Sequence, residues 1–197
     1  MKKTIFSGHS IYSTNVLDDN INIKLILNEF HQNTENYQYT HYINQRWENI
    51  YLSPQVIPSI LPFLSFALSS ALEIFRDSLK PHQTLIIPHE LLGYEKNEFW
   101  FNAAFRGEST GIHNHIKEAV LSGIFYLQVP VNSANLFFKC GKNKKLEVTA
   151  KTGKLIFFPS ELDHYVPENQ SSEMRISLAF NCYKFPLLAS AMHGLPV

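Results

Sequence analysis

The sequence predicts a mainly β protein, a sandwich or jelly roll, with helices near its N-terminus. Three observations predict this. Between residues 84 and 183, short apolar runs are separated at close spacing by turn-forming residues. Between residues 18 and 79 the apolar positions instead follow helical spacing. The chain also carries 15 Phe and 9 Tyr among 197 residues, bulky rings that suit a pleated, half-buried surface.

In chain order, Thr4 to Tyr12 reads as an opening strand. From Asp18 the pattern changes. Ile23, Ile26, Leu27 and Phe30 fall at i, i+3, i+4 and i+7, the stripe of an amphipathic helix, with Asp18, Asp19 or Asn20 as its cap. Residues 32 to 50 are polar and aromatic, with Asn33, Asn36 and Asn44, and read as loop. Pro54 and Pro58 punctuate the chain before a second helix over Pro62 to Leu79. Its core candidates are Phe63, Phe66, Leu72 and Phe75, and Lys80-Pro81 ends it. The apolar run 56–75 contains Pro58 and Pro62 and leads directly into Arg76 and Asp77, so a buried helix is expected rather than a membrane span.

Strands are expected near 84–88, 98–106, 119–129, 135–139, 145–149, 154–158 and 174–183. The separators carry turn chemistry: Pro130 with Asn132, Gly141 with Asn143, Thr152-Gly153 and Glu168-Asn169. Such spacing favours a sandwich or jelly roll over alternating β and α units. The chain reads as a single domain: 1–97 a strand and helical support layer, 98–183 the β core, 184–197 a tail.

Composition narrows the function. Lys plus Arg is 17 and Asp plus Glu is 17, so neither nucleic acid nor an anionic membrane surface is expected as partner. The densest basic group, Lys142, Lys144, Lys145, Lys151 and Lys154, reads as a solvated hairpin edge. Cys140 and Cys182 form no CxxC pattern, and Ser7, Gly8, His9 and Ser10 interrupt any apolar core behind Met1-Lys2-Lys3. A reducing cytoplasm is the expectation. A small-molecule substrate is expected, and a homodimer is open.

The chemistry-bearing residues lie in the second half. His113-Asn114-His115 precedes the apolar strand Leu121 to Leu127, His164 lies far downstream, and Arg175 follows. Side chains two apart on an extended segment point the same way. A mononuclear non-haem iron site needs two or three ligands on one face and open positions on the other. His164 follows the strand Phe157-Phe158 and a Pro159-Ser160 turn that can return an imidazole toward the sheet. Arg175 sits within Met174 to Phe180, where an unpaired charge is costly. Either an ion pair inside the sandwich or a bound carboxylate, clamped with Ser177, accounts for it.

These motifs in order resemble the 2-oxoglutarate and iron(II)-dependent oxygenases of bacteria and phages. The residues that carry the resemblance are Trp100-Phe101-Asn102, His113-Asn114-His115, Ser122-Gly123-Ile124-Phe125-Tyr126, Phe158-Pro159-Ser160 to His164, Pro167-Glu168-Asn169, and Arg175-Ile176-Ser177 with Phe180-Asn181. The resemblance spans about 98 to 183. It implies a double-stranded β-helix, the cupin-like jelly roll, with iron(II) held by His113, His115 and His164. It further implies 2-oxoglutarate held by Arg175, with Ser177 and Asn102 beside it, and dioxygen as oxidant. Tyr126, Phe125, Phe137 and Phe157 are candidate pocket walls, and His41, Trp47 and His89 are candidates for covering loops.

Three departures bear on the site. Ile116 stands where many relatives have Pro, and Lys139-Cys140-Gly141 where many have Asp-Pro-Arg. An H-x-H pair replaces the wider superfamily's H-x-D/E, leaving the site one charge more positive. Besides three imidazoles, the ligand sets open at this point are one without His115 and one with a carboxylate from Glu118 or Asp163. The implied reaction is hydroxylation of an unactivated C–H bond of a small metabolite such as an amino-acid derivative, with desaturation and halogenation as variants. The other readings are a three-histidine cupin-type dioxygenase that uses no 2-oxoglutarate, and a non-enzymatic jelly-roll binding module.

Overall fold

The computed structural model describes residues 1–43, 46–115 and 119–186. The opening segment is a hairpin rather than one strand: β1 (Lys2–Phe6) pairs with β2 (His9–Asn15). Its turn, Ser7-Gly8, has both residues at positive φ, which Gly8 adopts without a side-chain clash. Helix α1 (Ile23–Gln32) buries Ile26 and Phe30, as its stripe predicts. Its cap is Asn22, whose side chain accepts the Leu25 N–H; Asp18 serves Asn20 instead.

The stretch read as loop contains a second hairpin, β3 (Gln38–Ile43) and β4 (Arg46–Tyr51). On β4, Arg46, Glu48 and Ile50 are buried and alternate with more exposed residues. This is a strand period, but two of its three buried positions are charged, so a hydrophobicity pattern does not register it. Helix α2 (Leu61–Phe75) buries Phe63, Leu64, Ala67 and Ala71. The segment Pro58–Ser78 is long and apolar enough to cross a bilayer, yet it lies on the sheet. The Phe63 ring stacks on Phe125 at 4.3 Å and meets Phe180 edge-on at 5.7 Å.

The remaining strands are β5 (Thr84–Ile86), β6 (Phe99–Ala104), β7 (Thr110–His113), β8 (Ala119–Gln128), β9 (Leu136–Cys140), β10 (Lys144–Val148), β11 (Lys154–Pro159), β12 (Asp163–Val166) and β13 (Arg175–Phe185). The major sheet runs β1-β2-β11-β8-β13-β6-β4-β3, with β5 also on β13; the minor sheet runs β10-β9-β12-β7. From β6 to β13 the chain passes repeatedly between the two sheets, which makes a double-stranded β-helix. The two N-terminal hairpins widen the major sheet at both edges.

Residue parity on the major sheet creates two cores. Phe99, Phe101, Phe125, Phe157, Leu178 and Phe180 pack with the helices. Ile124, Tyr126, Ile156 and Phe158 pack between the sheets with Leu136 and Phe138. Gly123 pairs with Phe180 in register, and a Cβ there would lie 2.1 Å from the Phe180 ring. Only glycine leaves that ring its place.

Candidate metal centre and acid pocket

The three imidazoles meet because of strand register. On the minor sheet β7 and β12 run antiparallel, with His113 opposite His164. Just past β7, the His115 N–H donates to the Ser160 carbonyl at 2.7 Å, and the Pro159–Leu162 turn closes at 3.0 Å. The ring centroids are 4.3 Å (His113–His164), 5.0 Å (His113–His115) and 5.3 Å (His115–His164) apart. One ligand nitrogen from each lies within 4.8 Å of the other two.

Hydrogen bonds orient two of these rings. His113 Nδ1 lies 2.8 Å from the Gly111 carbonyl, and His164 Nδ1 lies 3.0 Å from the Leu162 carbonyl. A carbonyl only accepts, so each Nδ1 carries the proton and each Nε2 keeps a lone pair for a metal. Burial, then the neighbouring imidazoles, pushes His115 down to about 4 and His164 well below its ordinary value. Burial thus favours the neutral form of His115 and His164, the form that ligates. Asp163 is outside the group: its carboxylate accepts a 2.7 Å bond from Asn114. Glu118, like Ile116, lies outside the described residues.

The histidines line a cleft between the sheets, with Tyr126, Arg175 and Ser177 on the opposite wall. Arg175 is 2% exposed. Among the described residues no carboxylate lies within ion-pair distance of it, and its Nε has no partner. The ion-pair account of Arg175 is therefore not met. The Tyr126 hydroxyl is also buried without a partner. Burial raises the Tyr126 hydroxyl to about 12, opposed by the Arg175 charge. A buried, uncompensated guanidinium is expensive, and two unpartnered donors facing one cleft suit a carboxylate. The donor set fits both cofactors: nitrogen ligands suit iron, and the Arg175–Tyr126 wall suits an acid.

Ser177 lies opposite Asn102 in register. Asn102 reaches the cleft, but its amide is engaged. It donates to the Glu48 carbonyl at 3.0 Å and accepts from Arg46 at 3.3 Å and Thr110 at 3.4 Å.

Other wall candidates need correction. Phe125 and Phe157 point to the helix layer, one residue out of phase with the cleft. Phe137 points out of the minor sheet and stacks on Tyr165 at 5.3 Å, while its neighbour Phe138 faces inward. The cleft walls are instead Phe158, Leu136 and Trp100, the last 5.5 Å from His115. Counting parity from Arg175 along β13 and across to β6, β8 and β11 identifies most of these. His41 and Trp47 lie on β3 and β4 rather than on loops, with His41 2.8 Å from Thr40 and 3.2 Å from Asn49. His89 follows β5, its ring 6.5 Å from Phe99.

Residues 138–181 match the family described as "Putative 2OG-Fe(II) oxygenase". No curated protein matches the chain. Among solved structures it is similar to a prolyl-4-hydroxylase from Pseudomonas putida, at 17% identity over 89% of this chain and 92% of that one, TM-score 0.64. It is also similar to a Trichoplax adhaerens prolyl hydroxylase solved with a hypoxia inducible factor peptide, at 13% identity over 88% and 83%, TM-score 0.63. A third is the non-heme alpha ketoglutarate dependent carbocyclase SnoK from nogalamycin biosynthesis, at 10% identity over 87% and 78%, TM-score 0.63. These identities speak for the fold alone. The matched segment contains His164 and Arg175 of the cleft described above, and the chain shares its fold with these structures.

Proposed function

We propose that this chain is a 2-oxoglutarate- and iron(II)-dependent oxygenase that hydroxylates an unactivated C–H bond of a small cytoplasmic metabolite, such as an amino-acid derivative. In this reading His113, His115 and His164 hold iron(II). Arg175 and Tyr126 hold the distal carboxylate of 2-oxoglutarate, with Ser177 beside them. The observation that carries it is Arg175: a guanidinium buried in the same cleft as three imidazoles and lacking any carboxylate partner among the described residues. When bound, iron(II) with 2-oxoglutarate and dioxygen supplies the oxidising chemistry, leaving succinate and carbon dioxide.

The chain's own residues do the rest. The backbone carbonyls of Gly111 and Leu162 keep two ligand rings in one tautomer. Phe158, Leu136 and Trp100 give the cleft dry walls. Balanced charge supports a small molecule over nucleic acid.

The test is anaerobic titration of the metal-free protein with iron(II) and then 2-oxoglutarate. A weak visible charge-transfer band that appears with the acid and vanishes in Arg175→Ala is the expected result. Iron binding without the band would move the protein to a three-histidine dioxygenase that uses no 2-oxo acid. No iron binding would leave a binding module. Succinate release against a panel of amino-acid derivatives then tests the substrate class.

A further inference from the structure

We infer that Glu48 is a positioning residue for the metal centre, acting through Gly111 on the ring of His113. The inference rests on the iron site proposed above. Glu48 belongs to β4, a strand outside the double-stranded β-helix itself, and is 4% exposed. Its Oε1 accepts the Gly111 N–H at 3.2 Å. The carbonyl of the same glycine accepts the His113 Nδ1–H at 2.8 Å. One residue is therefore clamped by a buried acid on one side while it sets a ligand's tautomer and rotation on the other.

Strand β7 needs such a tie. It is the terminal strand of the minor sheet, paired among the described residues only with β12, and that pairing shifts register between His164 and Val166. A second set of bonds joins the same hairpin to the same strand. Thr110 donates to Asn102 at 3.4 Å, Arg46 donates to the same oxygen at 3.3 Å, and Arg46 pairs with Glu108 at 3.1 Å. The two buried charged side chains of β4 thus both end on the β6–β7 segment.

A fold-only role fits Glu48 poorly. The Gly111 N–H is its side chain's one hydrogen bond among the described residues. A carboxylate buried against a single neutral donor is an expensive way to fasten a strand. Outer residues that orient metal-bound histidines commonly change metal affinity 10–100-fold.

The test is cobalt(II) affinity of the full chain, followed by its visible absorption, in Glu48→Gln, Glu48→Asp and Glu48→Ala. Glutamine keeps the acceptor and loses the charge; aspartate keeps the charge and loses the reach. Thermal midpoint and near-ultraviolet circular dichroism check that each variant is folded. Glutamine should stay close to wild type, while aspartate and alanine weaken cobalt binding roughly 10–100-fold. If alanine does not fold, the Gln/Asp pair still decides. Aspartate binding like wild type, or glutamine binding as weakly as aspartate, would overturn the inference. A His113→Ala control separates the two levels: cobalt affinity that ignores His113 sinks the iron site itself, whereas a His113-dependent affinity with a flat Glu48 series sinks only the positioning role.

Discussion

The two faces of the major sheet are built from the same strands and do opposite work. On the helix side, Phe99, Phe101, Phe125, Phe157 and Phe180 form a dry layer closed by Phe63 and Phe30. On the inner side, the alternate positions carry Asn102, Ser122, Tyr126, Arg175 and Ser177. One face holds only groups that burial satisfies. The other keeps a guanidinium nitrogen and a hydroxyl buried with no protein partner. Stability is gathered on the outer face, and the inner face carries polar groups whose cost a ligand would offset. A step of one residue along a strand crosses between the two regimes.

The largest effect should come from breaking the outer face. Phe125→Ala removes a fully buried ring stacked on Phe63 and should cost about 3–5 kcal/mol of unfolding free energy in urea denaturation. The affinity of the surviving folded fraction for 2-oxoglutarate should change little, because Phe125 points away from the cleft. Equal losses in both measurements would dissolve the distinction between the faces.

Breaking the inner face should invert that pattern. Arg175→Met removes a buried charge that no carboxylate in the described chain compensates. Isothermal titration should show 2-oxoglutarate binding weakened by about 2–5 kcal/mol. The thermal midpoint of the ligand-free protein should hold or rise, since replacing a buried charge by an apolar chain is often neutral or stabilising. A falling midpoint would mean that Arg175 serves the fold. Tyr126→Phe sharpens the same point on a smaller scale: loss of about 1 kcal/mol in acid binding, with no loss of stability, because its hydroxyl has no protein partner.

The outer face was the easier one to read from sequence. Helix α1 and the strands from β8 to β11 follow from apolar periodicity, since burial there is mostly apolar. The strands that fold the site did not. β7 and β12 are four residues each, and each holds a histidine of the three-imidazole group where an apolar residue would announce a strand. β4 hid for the same reason, with Arg46 and Glu48 in its buried positions. The motif order in this chain still singled out three histidines, Arg175 and Ser177, which the fold brings to one cleft. The pocket-wall choices Phe125, Phe137 and Phe157 failed because aromatic character does not reveal parity; the register of β13 against β8 and β6 does.

Acid should probe the inner face through its imidazoles. In the metal-free protein burial holds His115 down at about 4 and His164 well below its usual value, while an unfolded histidine titrates near 6.5. Between those values the unfolded chain binds more protons than the folded one, so stability must fall as pH falls. The His115 contribution should be level above about pH 7, decline through the unfolded value, and flatten once His115 itself charges near 4. For His115 alone the loss at about pH 5.5 is roughly 1 kcal/mol. Urea midpoints across pH should trace this slope, and His115→Gln should make it shallower. A slope unchanged by that substitution would show that groups other than His115 set the acid sensitivity of the fold.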